Sequence, residues 1–217
     1  MANVIGLDIG GTKITGIVFK EKKVLKSLTI VTPKNLFDFE KSILKLTDFL
    51  SANIKISGVG VGMAGLVNSE NGVVKHSPNI RFVKNLNLAS FLNKHGYKNV
   101  KIDNDANCFT RAVMLLGSGK KYHNFLTVTL GTGIGGGIVI NKKLYRGQDN
   151  LGGELGHLIM GKSYWEKHYQ EARDNKDFIT AGRLLGKAVA SLLNIFAPGA
   201  IIIGGGFGHN EKKKYLP

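Results

Sequence analysis

Cysteine is nearly absent: Cys108 is the only one among 217 residues. No intrachain disulfide can form, and no cysteine cluster is available for structural zinc. No basic residue lies beside Cys108 in sequence, so it reads as a small core residue on a helix rather than a nucleophile. Long apolar runs are lacking too. No segment approaches the ~20 apolar residues that span a bilayer, so no membrane partner is expected. The first apolar stretch, Val4 to Ile9, is short, is interrupted by Asp8 and follows no basic run. No secretory signal is expected there, and a cytoplasmic location follows. Arginine is scarce as well. Only Arg81, Arg111, Arg146, Arg173 and Arg183 stand beside the lysines that carry most of a formal net charge of +15. Readers of base edges lean on arginine, and these five are scattered. The charge describes a lysine-rich surface that attracts anionic nucleotides; a basic nucleic-acid-binding protein is the weaker alternative.

What is present is a globular composition, 43% hydrophobic and 8% aromatic, on a chain long enough for one large domain or two small lobes. Leu36, Phe39, Ile43, Leu46 and Leu50 recur at helical steps behind Asn35, which with Asp38 resembles a capping pair. A second stripe, Leu184, Leu185, Ala188, Leu192 and Ile195, stops at Pro198-Gly199. A third helix is predicted from about Asp105 to Leu116, with Phe109, Val113 and Leu116 on one face. Short β-branched strands are predicted at 4–9, 15–19, 24–31, 57–62, 100–103, 125–130, 136–140 and 200–203. The class is α/β with mixed sheets.

One repeat stands out. Asp8 to Val18 laid over Thr129 to Val139 matches Gly10, Gly16, Ile17 and Val18 with Gly131, Gly137, Ile138 and Val139. Both segments read strand, glycine turn, strand. Duplication into two similar lobes, 1–119 and 120–217 with a boundary near 118–122, is the expectation, with a ligand cleft between them.

Four motifs carry chemistry. In Asp8 to Lys13, Gly10 and Gly11 can adopt positive φ and bring N–H groups close to an anion, and Thr12 adds a hydroxyl. Asp8 at the strand end suits Mg²⁺, through water; the plain reading is a hairpin turn. The run Gly131-Thr132-Gly133-Ile134-Gly135-Gly136-Gly137 has more glycine than a connection needs, which points to a polyphosphate lying close to the backbone. It lacks the Gly-Lys-Ser/Thr of a Walker loop and leads into a strand, unlike a dinucleotide fingerprint. Asn104-Asp105-Ala106-Asn107 follows a strand; an N-cap explains one of its polar residues, and a carboxylate there can take a proton from a substrate hydroxyl. Glu154 and His157, three apart, share a face and can hold neighbouring sugar hydroxyls, or form only a surface pair.

These segments, with Gly204-Gly205-Gly206, follow the order of the ROK family (repressor, open reading frame, kinase), and the chain resembles that family over nearly its whole length. The resemblance implies the actin-like (ribonuclease H-like) ATPase fold and a hexose or N-acetylhexosamine kinase using ATP and Mg²⁺. It implies Asp105 as catalytic base, and Asn79, Asn104, Glu154 and His157 as sugar contacts. ATP contacts are implied at Asp8, Gly10, Gly11, Thr12, Lys13, Gly131, Thr132, Gly133 and Gly204 to Gly206. The family's cysteine-rich zinc motif does not follow His157, so no zinc is expected; Trp165, Glu166, His168 and Glu171 are the candidates to orient His157 instead. The DNA-binding helices of the repressor members do not precede Asp8, which favours the kinase branch over the repressors. A catalytically weak sugar or nucleotide sensor remains the alternative, and the pattern leaves room for a homodimer.

Overall fold

The computed structural model describes residues 2–21 and 23–207; Lys212 to Lys214, the last lysine run, lie outside them. The chain forms two compact units, Met1–Cys108 and Phe109–Pro217. The division falls inside a helix, upstream of the 118–122 segment favoured by sequence. Past Cys108 that helix packs within the second unit: Thr110 bonds Thr127 (2.5 Å) and Phe109 lies against Gly204.

In the first unit, β1 (Asn3–Ile9), β2 (Lys13–Lys20) and β3 (Lys23–Val31) form an antiparallel meander. After α1 (Leu36–Ser51), β4 (Ile56–Met63) joins β1 in parallel. A small sheet of β5 (Leu66–Asn68), β6 (Val73–His76) and β7 (Lys84–Asn87) follows, then α2 (Leu88–Lys94). β8 (Val100–Asn104) pairs in parallel with β4 and runs directly into α3 (Asp105–Leu115). The large sheet therefore has the order β3-β2-β1-β4-β8. As expected, Asn35 caps α1 by accepting from the Asp38 N–H, and Phe39, Ile43, Leu46 and Leu50 form its buried stripe. Gly16 on β2 lets α1 approach: a Cβ there would lie 2.6 Å from Leu50 Cδ1. The small sheet and α2 were not legible in the sequence, because their runs are only three to seven residues long.

The second unit holds β9 (Phe125–Leu130), β10 (Ile134–Ile140), β11 (Lys143–Tyr145), β12 (Ile159–Met160), β13 (Ser163–Tyr164), α4 (Trp165–Asp174), α5 (Phe178–Phe196) and β14 (Ile201–Gly204). Its main sheet, β11-β10-β9-β14, repeats β3-β2-β1-β4 in order and sense, with β14 parallel to β9. The repeat seen in the sequence is thus a repeat of topology. Its returning strands are one residue out of step, however. The first hairpin encloses Gly10–Lys13 between paired Ile9 and Ile14, and the second encloses Gly131–Gly133 between paired Leu130 and Ile134. The structural counterpart of Gly16, which faces Leu7, is therefore Gly136, which faces Val128, and not Gly137. Gly136 does the same job as Gly16, admitting Leu155.

Three helix readings change. Leu116 lies past the end of α3 and Ile195 lies on α5, and both are exposed. The stripe of α5 that faces the core is Ala181, Leu185, Ala188 and Leu192. By length and composition α5 is also apolar enough to cross a membrane, contrary to the expectation that no segment is.

Candidate active site

Strands β1, β4 and β8 of the first unit end side by side, with Asp8 paired to Gly62 and Gly62 to Asp103. Ligands of open α/β sheets bind beyond such carboxyl ends. The first glycine turn leaves β1 at this edge, closed by the Gly10 N–H donating to Lys13 O (3.0 Å). Neither Gly10 nor Gly11 uses the positive φ that glycine permits. Gly11 is needed for closeness: a Cβ on it would lie 2.7 Å from Asn79 Cβ. The turn and Asn79 are therefore in contact. Thr32, buried at the end of β3, fixes the turn from behind. Its hydroxyl donates to Gly10 O (2.7 Å) and its N–H to Thr12 O (3.0 Å). In a planar trans peptide a carbonyl and the following N–H point opposite ways, so the Gly11 N–H faces away from Thr32. Sequence reading missed Thr32; a threonine closing a strand one step before Pro33 was its signal.

Asn104 caps α3. Its Oδ1 accepts from the N–H groups of Ala106 (2.9 Å) and Asn107 (3.2 Å), and its Nδ2 donates to Gly65 O (3.0 Å). One N–H of the carboxamide is left for a ligand. The buried Asn107 side chain donates to Asp103 Oδ1 (3.3 Å). Asp105 starts the helix, its carboxylate accepting from the Ala106 N–H (2.9 Å). The first turn of α3 rides on Gly62, whose missing side chain leaves Asp105 Cα only 3.6 Å from where a Cβ would sit. Both Asp105 and Asp8 reach solvent. Even so, desolvation among the strand ends pushes the pKa of Asp105 up. The Ala106 N–H opposes that shift and the charge of Asp8 adds to it. Desolvation raises Asp8 too, against the pull of Lys13. Two carboxylates close enough to repel are suited to a hydrated divalent cation. Among the described residues no group of three His, Cys, Asp or Glu side chains could hold a metal by itself.

In the second unit the other turn, Gly131 to Gly133, ends β9, and Gly204 pairs beside Thr129 on β14. Gly205 has φ +89° and packs on the Leu130 backbone, so the Gly204-Gly205-Gly206 run lies next to the turn. Most glycines here serve the protein's own packing rather than a ligand. Side chains on Gly133, Gly136 and Gly137 would strike Glu166, Leu155 and Thr110. Gly131 and Gly206 open on free space. The turn is held by α4. Glu166 accepts from the Ile134 N–H (2.6 Å), Tyr169 donates to Gly131 O (3.1 Å), Gln170 to Thr132 O (3.3 Å), and Arg173 to both carbonyls. None of these roles was read from the sequence. Glu166 was weighed there only as a partner of His157; its signal was the i, i+3, i+4, i+7 spacing of the four.

Glu154 and His157 lie on one short 3₁₀ turn, with the His157 N–H donating to Glu154 O (3.1 Å), and both side chains are exposed. The ring against His157 is Tyr164, edge-on at 5.5 Å. The four candidates to orient His157 are engaged elsewhere: Trp165 is buried in the core, Glu166 holds the turn, and His168 faces Glu171 (3.7 Å) and Met160 O (2.9 Å).

The sequence matches the ROK family over residues 4–177. It is 36% identical over 160 residues to a glucokinase of Thermotoga maritima, covering 72% of this chain and 50% of that protein. It is 39% identical over 158 residues to an N-acetyl-D-glucosamine kinase of Haemophilus influenzae, covering 70% and 51%. The chain spans about half the length of these curated relatives. Among solved structures, a ROK family glucokinase from Streptomyces griseus, in complex with glucose and AMPPNP, superimposes with a TM-score of 0.82 at 26% identity, over 94% of this chain and 83% of that one. The family match, the strand order and the solved relatives agree on the actin-like ATPase fold, and this chain belongs to the ROK family.

Proposed function

We propose that this chain carries the catalytic base and phosphate turns of an ATP-dependent kinase acting on a hexose or N-acetylhexosamine. The observation that carries the reading is Asp105, set at a helix start beside Asp8 and the first glycine turn, with its pKa raised by desolvation. A raised pKa makes the carboxylate a better proton acceptor. Asp105 takes the proton of a sugar hydroxyl, O6 here, as that oxygen attacks the γ-phosphorus in line, and the bond to the β,γ-bridging oxygen breaks so that ADP leaves with it. Asn79, Asn104, Glu154 and His157 hold the remaining hydroxyls. The N–H groups of the two turns and Lys13 receive the phosphates, and the adenosine lies by Gly204 to Gly206. Mg²⁺, when bound through water at Asp8, supplies charge neutralisation. Positioning and electrostatics provide most of the rate in such transfers.

The test is a coupled ADP-release assay with glucose, fructose, mannose, N-acetylmannosamine and N-acetylglucosamine. Release that depends on one sugar supports the kinase. Tight binding of ATP and sugar with no release supports a sensor instead. Asp8→Ala is expected to raise the Mg²⁺ concentration needed for half-maximal rate about tenfold or more, the scale of one charged contact, and to leave sugar affinity unchanged. An unaltered Mg²⁺ titration would reduce Asp8 to a turn residue.

A further inference from the structure

We propose that Arg173 is the positioning residue of the second glycine turn, setting its N–H groups to receive nucleotide phosphate; this rests on the kinase reading above. Gly131 to Gly137 contains five glycines, and such a backbone has many conformations to lose. Something outside the turn must select one of them. Arg173 is placed to do so. Its Nη1 donates to Gly131 O (2.9 Å) and to Thr132 O. Its Nε and Nη2 both donate to Asp174 Oδ1 (2.9 and 2.7 Å), and the Tyr169 ring centroid lies 5.8 Å away. The guanidinium is thus held by Asp174 and spends the two donors of Nη1 on two successive carbonyls. Each planar trans peptide sends its N–H opposite its carbonyl. With the carbonyls of Gly131 and Thr132 drawn to Arg173, the N–H groups of Thr132 and Gly133 both face the other way. Neither donates to another described residue. Two adjacent N–H groups pointing the same way form an anion-binding nest. The cation behind the peptides adds to the field that an incoming phosphate meets.

The arrangement parallels Thr32 behind the first turn, with a charged residue in place of a hydroxyl. Tyr169 and Gln170 share the carbonyls with Arg173, so the turn survives its loss but with less order.

The test compares Arg173→Ala and Arg173→Lys with the unaltered chain by calorimetric titration of Mg·ATP and, separately, of glucose or whichever sugar turns over. Arg173→Ala is expected to weaken Mg·ATP about tenfold or more, the scale of a charge-assisted hydrogen bond, with sugar affinity unchanged. Arg173→Lys is expected to recover part of the loss, since one ammonium can reach a carbonyl but cannot fork. A general packing role would instead lower both affinities together with thermal stability. Arg173→Gln takes the place of the alanine variant if that one does not fold. Mg·ATP binding unchanged in a folded Ala or Gln variant overturns the proposal. An unaltered chain that binds Mg·ATP but phosphorylates no sugar sinks the kinase reading and leaves the Arg173 comparison valid. One that does not bind Mg·ATP overturns both.

Discussion

Asp105→Asn is expected to lower turnover by about 10²–10⁴-fold, the range for removing a general base, while sugar and Mg·ATP still bind. The amide keeps the size of the carboxylate and an oxygen to accept from the Ala106 N–H, so the start of α3 is preserved. Only the proton acceptor is lost. The pH behaviour gives a second reading. Desolvation first, and the charge of Asp8 after it, hold the folded pKa of Asp105 above that of the unfolded chain. A group raised in this way favours the fold fully below the ordinary carboxylate pKa, and that contribution is lost as pH rises through the folded value. Asn cannot ionise, so the variant is expected to be as stable as the parent in acid and more stable than it near neutrality. The acid limb of kcat/KM in the parent should lie above the ordinary carboxylate range for the same reason. Near-parental turnover in Asp105→Asn would remove Asp105 from the mechanism, and stability curves parallel at every pH would remove the desolvation argument.

Gly205→Ala is expected to be the most damaging conservative change in the second unit. Gly205 has φ +89°, where an L side chain is strained, and its Cβ would strike Leu130 O and lie 2.7 Å from Leu130 N. Both obstacles are backbone of a central strand, so neither can step aside cheaply. Strain alone costs about 1–3 kcal/mol, and the displacement of β14 from β9 adds to it. Nucleotide binding should fall with stability, because Leu130 directly precedes the second turn. Gly206→Ala is the control: nothing lies within 4 Å of a Cβ there, and its φ is not in the left-handed region. It should stay within about 0.5 kcal/mol of the parent. Thermal melts of the two variants and Mg·ATP titration of Gly205→Ala check this, and equal melts would mean that the β14 end adapts more freely than its packing indicates.

The sequence disclosed what periodicity and capping encode. The α1 stripe with its Asn35 cap, the eight main strands and the two hairpins were all readable, because alternating and 3.6-step burial leaves a pattern in composition. What it could not disclose was purpose at close quarters. The glycines of the second hairpin drew attention as a ligand cradle, yet Gly133, Gly136 and Gly137 make room for Glu166, Leu155 and Thr110, contacts far apart in sequence. Asn104 looked free to meet a sugar, whereas most of its bonding closes the start of α3 on Gly65. The α4 helix escaped notice because its buried residues are only Trp165, Tyr169 and Ala172 in a charged background. The residues that hold the second turn therefore went unread, although their helical spacing was on view.

Trp165 gives this molecule a spectroscopic asymmetry. It is the only tryptophan in the chain, fully buried at the first position of α4, with an indole N–H that has no partner among the described residues. Its emission therefore reports on one unit alone. The first unit, with no indole, is silent in that channel but contributes to far-ultraviolet dichroism through its sheet and helices. Unfolding curves from the two signals superimpose when the chain melts as one cooperative body and separate when it does not. Because Trp165 is followed directly by Glu166, which grips the Ile134 N–H, a red shift ahead of the dichroism loss dates the moment at which α4 lets go of the glycine turn.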